Sequence, residues 1–177
     1  MTLGVGEPLG DGWVLERVSA GAVRFVRAPS VDRRRALSRL VVAFGSLAVA
    51  LSLLAVSVQS AEALWLITWT LIALFGLTSG LALLSAVKDL RRSLLGVFLE
   101  VTAQQVTGVI DGQGFTGQFS VATVALPRAR TTLTLEPLEG GSGGAMLVVR
   151  SEDGTRLLAP DFPGLAEARA LLARVGA

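Results

Sequence analysis

The chain contains no cysteine, no histidine and no tyrosine, and its one lysine is Lys88. Without cysteine there is no disulfide framework and no thiolate metal site, which is compatible with a reducing compartment. Without histidine and cysteine the usual zinc ligands, the commonest general base and the thiol nucleophile are also missing. Catalysis would have to run on serine, Lys88 or carboxylates such as Glu100, Asp111, Glu136, Glu152, Asp153 and Asp161. None of these carboxylates shows a recognisable ligand spacing, and Glu152-Asp-Gly154 reads as a hairpin turn. No HExxH or Walker pattern occurs. The glycine-rich opening, Gly4 to Gly12, lacks both the Walker lysine and the dinucleotide-binding spacing, and reads as a terminal loop. The expectation is a protein that is not an enzyme, with no catalytic, cofactor-binding or metal residues and no cofactor. The net charge is only +2, so the basic isoelectric point carries no weight for a nucleic-acid partner.

Charge is scarcest in the middle of the chain. Residues Leu40 to Val87 hold a single charge, Glu62, which separates the apolar runs Leu40–Val58 and Leu64–Val87. As helices these rise roughly 28 Å and 36 Å, against a bilayer core of about 30 Å. About half the chain is hydrophobic and the mean hydropathy is +0.62. The short linker 59–63 makes two such helices antiparallel neighbours, with both chain ends on one side. Arg33, Arg34, Arg35 and Arg39 precede the first run, and Lys88, Arg91 and Arg92 follow the second. This collar holds seven of the 16 basic residues and places both termini in the cytoplasm, by the rule that positive flanks stay inside. The expected location is the inner (plasma) membrane, with a multi-pass topology. A signal peptide is the competing reading, because Ala61-Glu-Ala63 is small-x-small. The long preceding segment and the second apolar run speak against it.

Trp65 and Trp69 lie four apart at the outer end of the second run and read as interfacial anchors. Gly76 and Gly80 form a GxxxG pair. It suits either packing against the first helix, where Gly45, Ser46, Ala48 and Ser52 are small, or homodimerisation. No ionisable residue lies within either run, so an anchor is favoured over a transport pathway.

The flanking segments read as strands. Trp13–Val18 and Ala22–Arg27 form a hairpin around Ser19-Ala-Gly21, and a lone hairpin is marginal in water, so it needs a sheet to join. Beyond the membrane, Val97–Val101, Val106–Ile110, Phe115–Val121, Thr131–Glu136, Met146–Val149 and Arg156–Leu158 are strand-like, and Gly140–Gly144 is a loop. A closing helix over 164–175 carries the stripe Leu165, Ala168, Leu172 and Val175, with Asp161 near its N-cap and Phe162 anchoring its start.

The pieces Thr131–Glu136, Met146–Arg150, Thr155–Leu158 and Gly164–Val175, after a membrane hairpin, resemble the last strands and closing helix of a bacterial pleckstrin-homology-like (PH-like) membrane protein. The likeness is architectural and covers about half the chain. Gly12–Arg17 and Val23–Pro29 resemble a variation in which a strand hairpin before the membrane joins the same sheet. The expected fold class is therefore membrane α+β. A two-helix transmembrane hairpin is joined to a small antiparallel β domain, a PH-like barrel or sandwich, closed by a C-terminal amphipathic helix. The organisation expected is 1–35 cytoplasmic β-hairpin, 36–58 and 64–87 transmembrane helices, 59–63 external loop, and 88–177 cytoplasmic β domain.

The function expected is a membrane-anchored binding or scaffolding module. The alternatives are a small subunit of a larger transport or secretion assembly and, third, a membrane-bound enzyme. Partners are the lipid bilayer, a protein partner or a second copy, and anionic headgroups if the basic collar does more than set topology.

Overall fold

A computed structural model describes residues 4–19, 21–57, 65–111, 121–138 and 143–174. The chain forms two units: residues up to Val31 together with those from Arg92 onward, and the segment Asp32–Arg91 between them. The architecture is α+β, with two long apolar helices and two antiparallel sheets.

The discontinuous unit begins with β1 (Trp13–Ser19) and β2 (Ala22–Arg27). Gly12 starts β1 with a positive φ of 74°, and an added Cβ there would collide with the Val31 side chain. Strand alternation puts Trp13 and Leu15 from β1, and Val23 and Phe25 from β2, on one buried face. A bulge at Glu16 shifts the β1–β2 register between Leu15 and Arg17. After the helical segment the chain returns as β3 (Phe98–Thr102), β4 (Gln105–Val109) and β5 (Thr123–Pro127). β2 pairs directly with β3, from Ala22 opposite Thr102 to Val26 opposite Phe98. The first sheet is ordered β1-β2-β3-β4-β5, so the N-terminal hairpin and the strands after the helices share one ladder.

The second sheet consists of β6 (Thr131–Pro137), β7 (Ala145–Ser151), β8 (Arg156–Leu157) and β9 (Asp161–Phe162). Its centre is β7, which pairs with all three others. Glu152-Asp-Gly154 makes the β7–β8 turn: the Ser151 N–H donates to the Thr155 carbonyl at 2.8 Å, and Asp153 Oδ1 accepts the Thr155 N–H. The sheets meet where the Asp111 N–H donates to Arg156 O and the Leu158 N–H donates to Val109 O, at 2.7 and 2.9 Å. They do not close into a barrel, which corrects that part of the expectation. The cause lies between β5 and β6. Pro127 has no N–H, and a 3-10 turn over Arg128–Arg130 takes up the Thr131 N–H, so β6 leaves the first ladder and pairs with β7.

The core packs between the sheets and is capped by α3 (Leu165–Ala173). Phe25 from the first sheet meets Phe162 from the second edge-to-face at 5.8 Å. Phe162 thus lies in a strand, and Gly164 rather than Asp161 occupies the helix N-cap. The buried stripe of α3 is Ala168, Leu171 and Leu172, while Leu165 is half-buried and Val175 lies outside the described residues.

The helical unit is built from α1 (Pro29–Ser57) and α2 (Trp65–Leu95). α1 starts earlier than hydropathy alone suggests, because Pro29 suits the first helical turn, where a missing N–H costs nothing. α2 ends at Gly96, whose φ of +73° lets its N–H return to the Arg92 carbonyl. Both helices are long and apolar enough to cross a membrane, and only 11% and 6% of their most apolar stretches is buried within the protein.

Candidate functional site

Within the helical unit the buried side chains of α1 are Asp32, Ala36, Ala43 and Ala50. The alanines recur every seventh residue, with Ser46 and Leu53 half-buried between and beyond them. On α2 the covered positions include Thr68, Ile72, Phe75, Ser79, Ala82, Ala86 and Asp89, at alternating intervals of four and three. The covered positions thus form a seam of heptad-like spacing, with small residues prominent among them. Ser79 Oγ reaches across to donate to the Ala43 carbonyl at 2.9 Å. At the open end Arg39 Nη1 pairs with Asp89 Oδ2 at 2.7 Å and donates to the Ser85 carbonyl at 3.2 Å.

Gly76 and Gly80 stand outside this seam, so of the two roles expected of them the structure does not show packing against the first helix. Both are exposed, and no heavy atom lies within 4 Å of a Cβ built on either. The physical reason is angular: each follows a seam residue, Phe75 or Ser79, by one position, about 100° round the helix. The signal that marks the true seam is the seven-residue recurrence of alanine, which a GxxxG reading passes over. Trp65 and Trp69 stand together on the outer end of α2, 61% and 43% exposed, with ring centroids 6.3 Å apart. The hydroxyls of Ser52, Thr70 and Thr78 each donate to the carbonyl four residues back, so their own helices satisfy them.

The basic collar divides by what its members touch. Arg33, Arg34, Arg35 and Arg91 are exposed, and Lys88 is half-buried. Arg39 is drawn to Asp89. Arg92 is 8% exposed, with Nη2 3.9 Å from Asp111 Oδ1. Arg39 and Arg92 therefore pair inside their own units, and of the seven collar residues only Arg92 is buried.

The carboxylates weighed for catalysis are spread over separate contacts. Glu100 stands 3.9 Å from Arg24, and Asp111 stands 3.9 Å from Arg156. The Thr155 N–H holds the Asp153 carboxyl below its ordinary value. Two glycine patterns have enzyme-motif spacing: Gly112-Gln-Gly-Phe-Thr-Gly117, and Gly140-Gly-Ser-Gly-Gly144 around Ser142. Residues 112–120 and 139–142 lie outside the described residues. The first pattern joins β4 to its antiparallel neighbour β5, and the second joins β6 to its antiparallel neighbour β7. A dinucleotide fingerprint belongs to a parallel strand-helix-strand unit, whereas the strands on either side of both patterns are antiparallel neighbours.

The described residues of the β unit border at least two concavities. One, of about 400 Å³, is bordered by Pro8, Gly10, Asp161 and Pro163. Near it, buried Arg27 pairs through Nη2 with Asp11 Oδ2 at 2.6 Å. Asp161 is half-buried, and its carboxyl is raised above the ordinary value chiefly by desolvation, then by the charge of Asp11, with Arg27 opposing. A second is a groove of about 370 Å³ lined by Leu133, Leu135, Arg169 and Leu172, between β6 and α3. Among the described residues no group of three or more acidic side chains is placed to hold a metal ion.

The chain matches no known family model, no curated protein and no solved structure.

Proposed function

We propose that this protein is a non-catalytic, membrane-anchored binding or scaffolding module. In this reading the hairpin of α1 and α2 spans the inner membrane, both termini are cytoplasmic, and the β unit is a PH-like domain held at the bilayer. The observation that carries it is the exposed apolar surface of the helices. Leu37, Val41, Phe44, Val56, Trp65, Leu66, Ile67 and Leu77 are all more than half exposed. An apolar surface so continuous would drive association in water and is at home in lipid. The seam also leaves no charged group deep between the helices, since Asp32 and Asp89 lie at their open end. That supports an anchor rather than a conduction path. The PH-like reading draws support from two antiparallel sheets around one core and a closing helix.

Topology labelling tests the reading, because the chain has no cysteine of its own. With a membrane-impermeant maleimide, Ala61→Cys labels in intact cells, whereas Ser30→Cys and Ser142→Cys label only after permeabilisation. Recovery of the chain in the soluble fraction, or the reverse labelling pattern, sinks it.

A further inference from the structure

Strand β6 is the open edge of the second sheet: among the described residues it pairs with β7 alone. The phase of that ladder identifies which backbone groups remain open. The Leu138 N–H donates to the Gly144 carbonyl at 3.0 Å, next to the Pro137–Ala145 pair. Alternation then turns Glu136, Thr134 and Thr132 toward β7, and leaves the N–H and C=O of Leu135 and Leu133 facing outward. Leu147, opposite Leu135, shows the same phase, since its N–H turns away from β6 to the Pro160 carbonyl at 3.1 Å. The window has a stop at each end. Thr131 is already engaged, its N–H by Arg128 O and its carbonyl by Arg128 Nη1 at 2.8 Å. Pro137 has no N–H to offer.

The side chains agree with the backbone. Leu133 and Leu135 are half-buried, and together with Leu172 they line the groove beside this edge. The exposed Arg169 is its cation, and no carboxylate pairs with it among the described residues. We propose that β6 and α3 form a docking groove for an extended peptide segment of a partner protein. The peptide adds to the edge as a strand, seats alternate apolar side chains beside Leu133 and Leu135, and brings a carboxylate to Arg169. A lipid surface offers no row of N–H donors for the open carbonyls. A second copy of β6 lacks the charge complement, because its one carboxylate, Glu136, falls on the face opposite Leu133 and Leu135. This proposal rests on the reading of the β unit as a binding module.

The test uses the full-length chain in nanodiscs and fluorescein-labelled heptapeptides of alternating valine and threonine, with one glutamate on the valine face at either end. Anisotropy should show saturable binding. Replacing the glutamate by glutamine, or Arg169 by Glu, should weaken it about tenfold, with no additive loss when both changes are made. N-methylation of the peptide groups that pair with the edge should weaken it about fivefold to tenfold. Leu135→Pro removes an outward N–H that the β7 ladder does not use, and should do the same. Absence of saturable binding, or binding indifferent to Arg169→Glu and to N-methylation, overturns the proposal. A dimer that Leu135→Pro converts to monomer assigns the edge to a second copy and overturns it too. A chain that inserts with the expected labelling but binds none of the peptides loses only the groove. A chain that fails to insert loses the anchor, while the same titration in detergent still decides the groove.

Discussion

Arg27 and Asp161 show how single residues on this fold depart from their sequence patterns. Strand alternation puts Arg27 on the same inward face as Val23 and Phe25, and it is only 3% exposed. Asp11 receives the guanidinium through its carboxylate and its backbone carbonyl, the carbonyl 3.2 Å from Nε. The β2 pattern makes the inward position legible, but the partner comes from the glycine-flanked loop before β1, which carries no periodic signal. Asp161 reads as a helix-cap acid from its place before an amphipathic stripe. In the fold it sits in β9, where its carbonyl accepts the Gly10 N–H at 2.8 Å. Its carboxyl holds a proton more readily in the folded chain than in the unfolded one. The ionised form is therefore the destabilised one. The cost is absent below the ordinary value of 3.8, grows as pH rises through the higher folded value, and is complete above it. Asp161→Asn should accordingly raise the thermal midpoint at pH 7, and the gain should shrink as the pH falls toward 3.8. A gain that does not vary with pH, or a loss at pH 7, would count against burial as the cause.

Among the elements, long periodic segments are legible in the sequence and short ones are not. The β1–β2 hairpin, the β7–β8 turn and both apolar helices follow from alternation, turn residues and apolar length. The strand expected at Phe115–Val121 falls largely outside the described residues, and the strand observed nearby is β5, Thr123–Pro127. β5 carries only two large apolar residues, and β9 is two residues long, too short for any period to register. The helix seam is hidden for a different reason. Glycine pairs draw the eye, whereas alanines spaced by seven are inconspicuous in an alanine-rich run. The seam makes a directional prediction. Ala43→Leu should destabilise the hairpin by about 1–3 kcal/mol through overpacking. Gly76→Ala should be neutral or stabilising, because open space awaits its Cβ. Titration of the helical signal with denaturing detergent measures both, and equal effects at the two sites would refute the seam.

Across the molecule as a whole, the decisive feature is that the helical segment interrupts a sheet rather than following it. Among the described residues, the apolar cluster between the sheets draws only on residues before Val31 or after Arg92. The Arg27 N–H donates to the Val97 carbonyl at 2.9 Å, so the two cut ends of the β unit are adjacent. Replacing residues 32–91 by a short glycine-serine linker should therefore yield a soluble β unit that unfolds in one cooperative transition. Removing residues 4–28 as well should abolish that transition, because β3 loses β2 and the core loses Trp13, Leu15, Val23 and Phe25. Calorimetry separates these outcomes. Residue order alone carries the properties that accumulate along the chain: two apolar helices of membrane length, alternating strands, and a basic collar without histidine or cysteine. Folding was needed to bring β2 against β3 across the helical insertion. It was needed equally for the alanine seam, the divided collar, and the open edge of β6 beside Arg169. Those depend on contacts between residues far apart in the chain, and local periodicity records which face a residue takes, not what that face will meet.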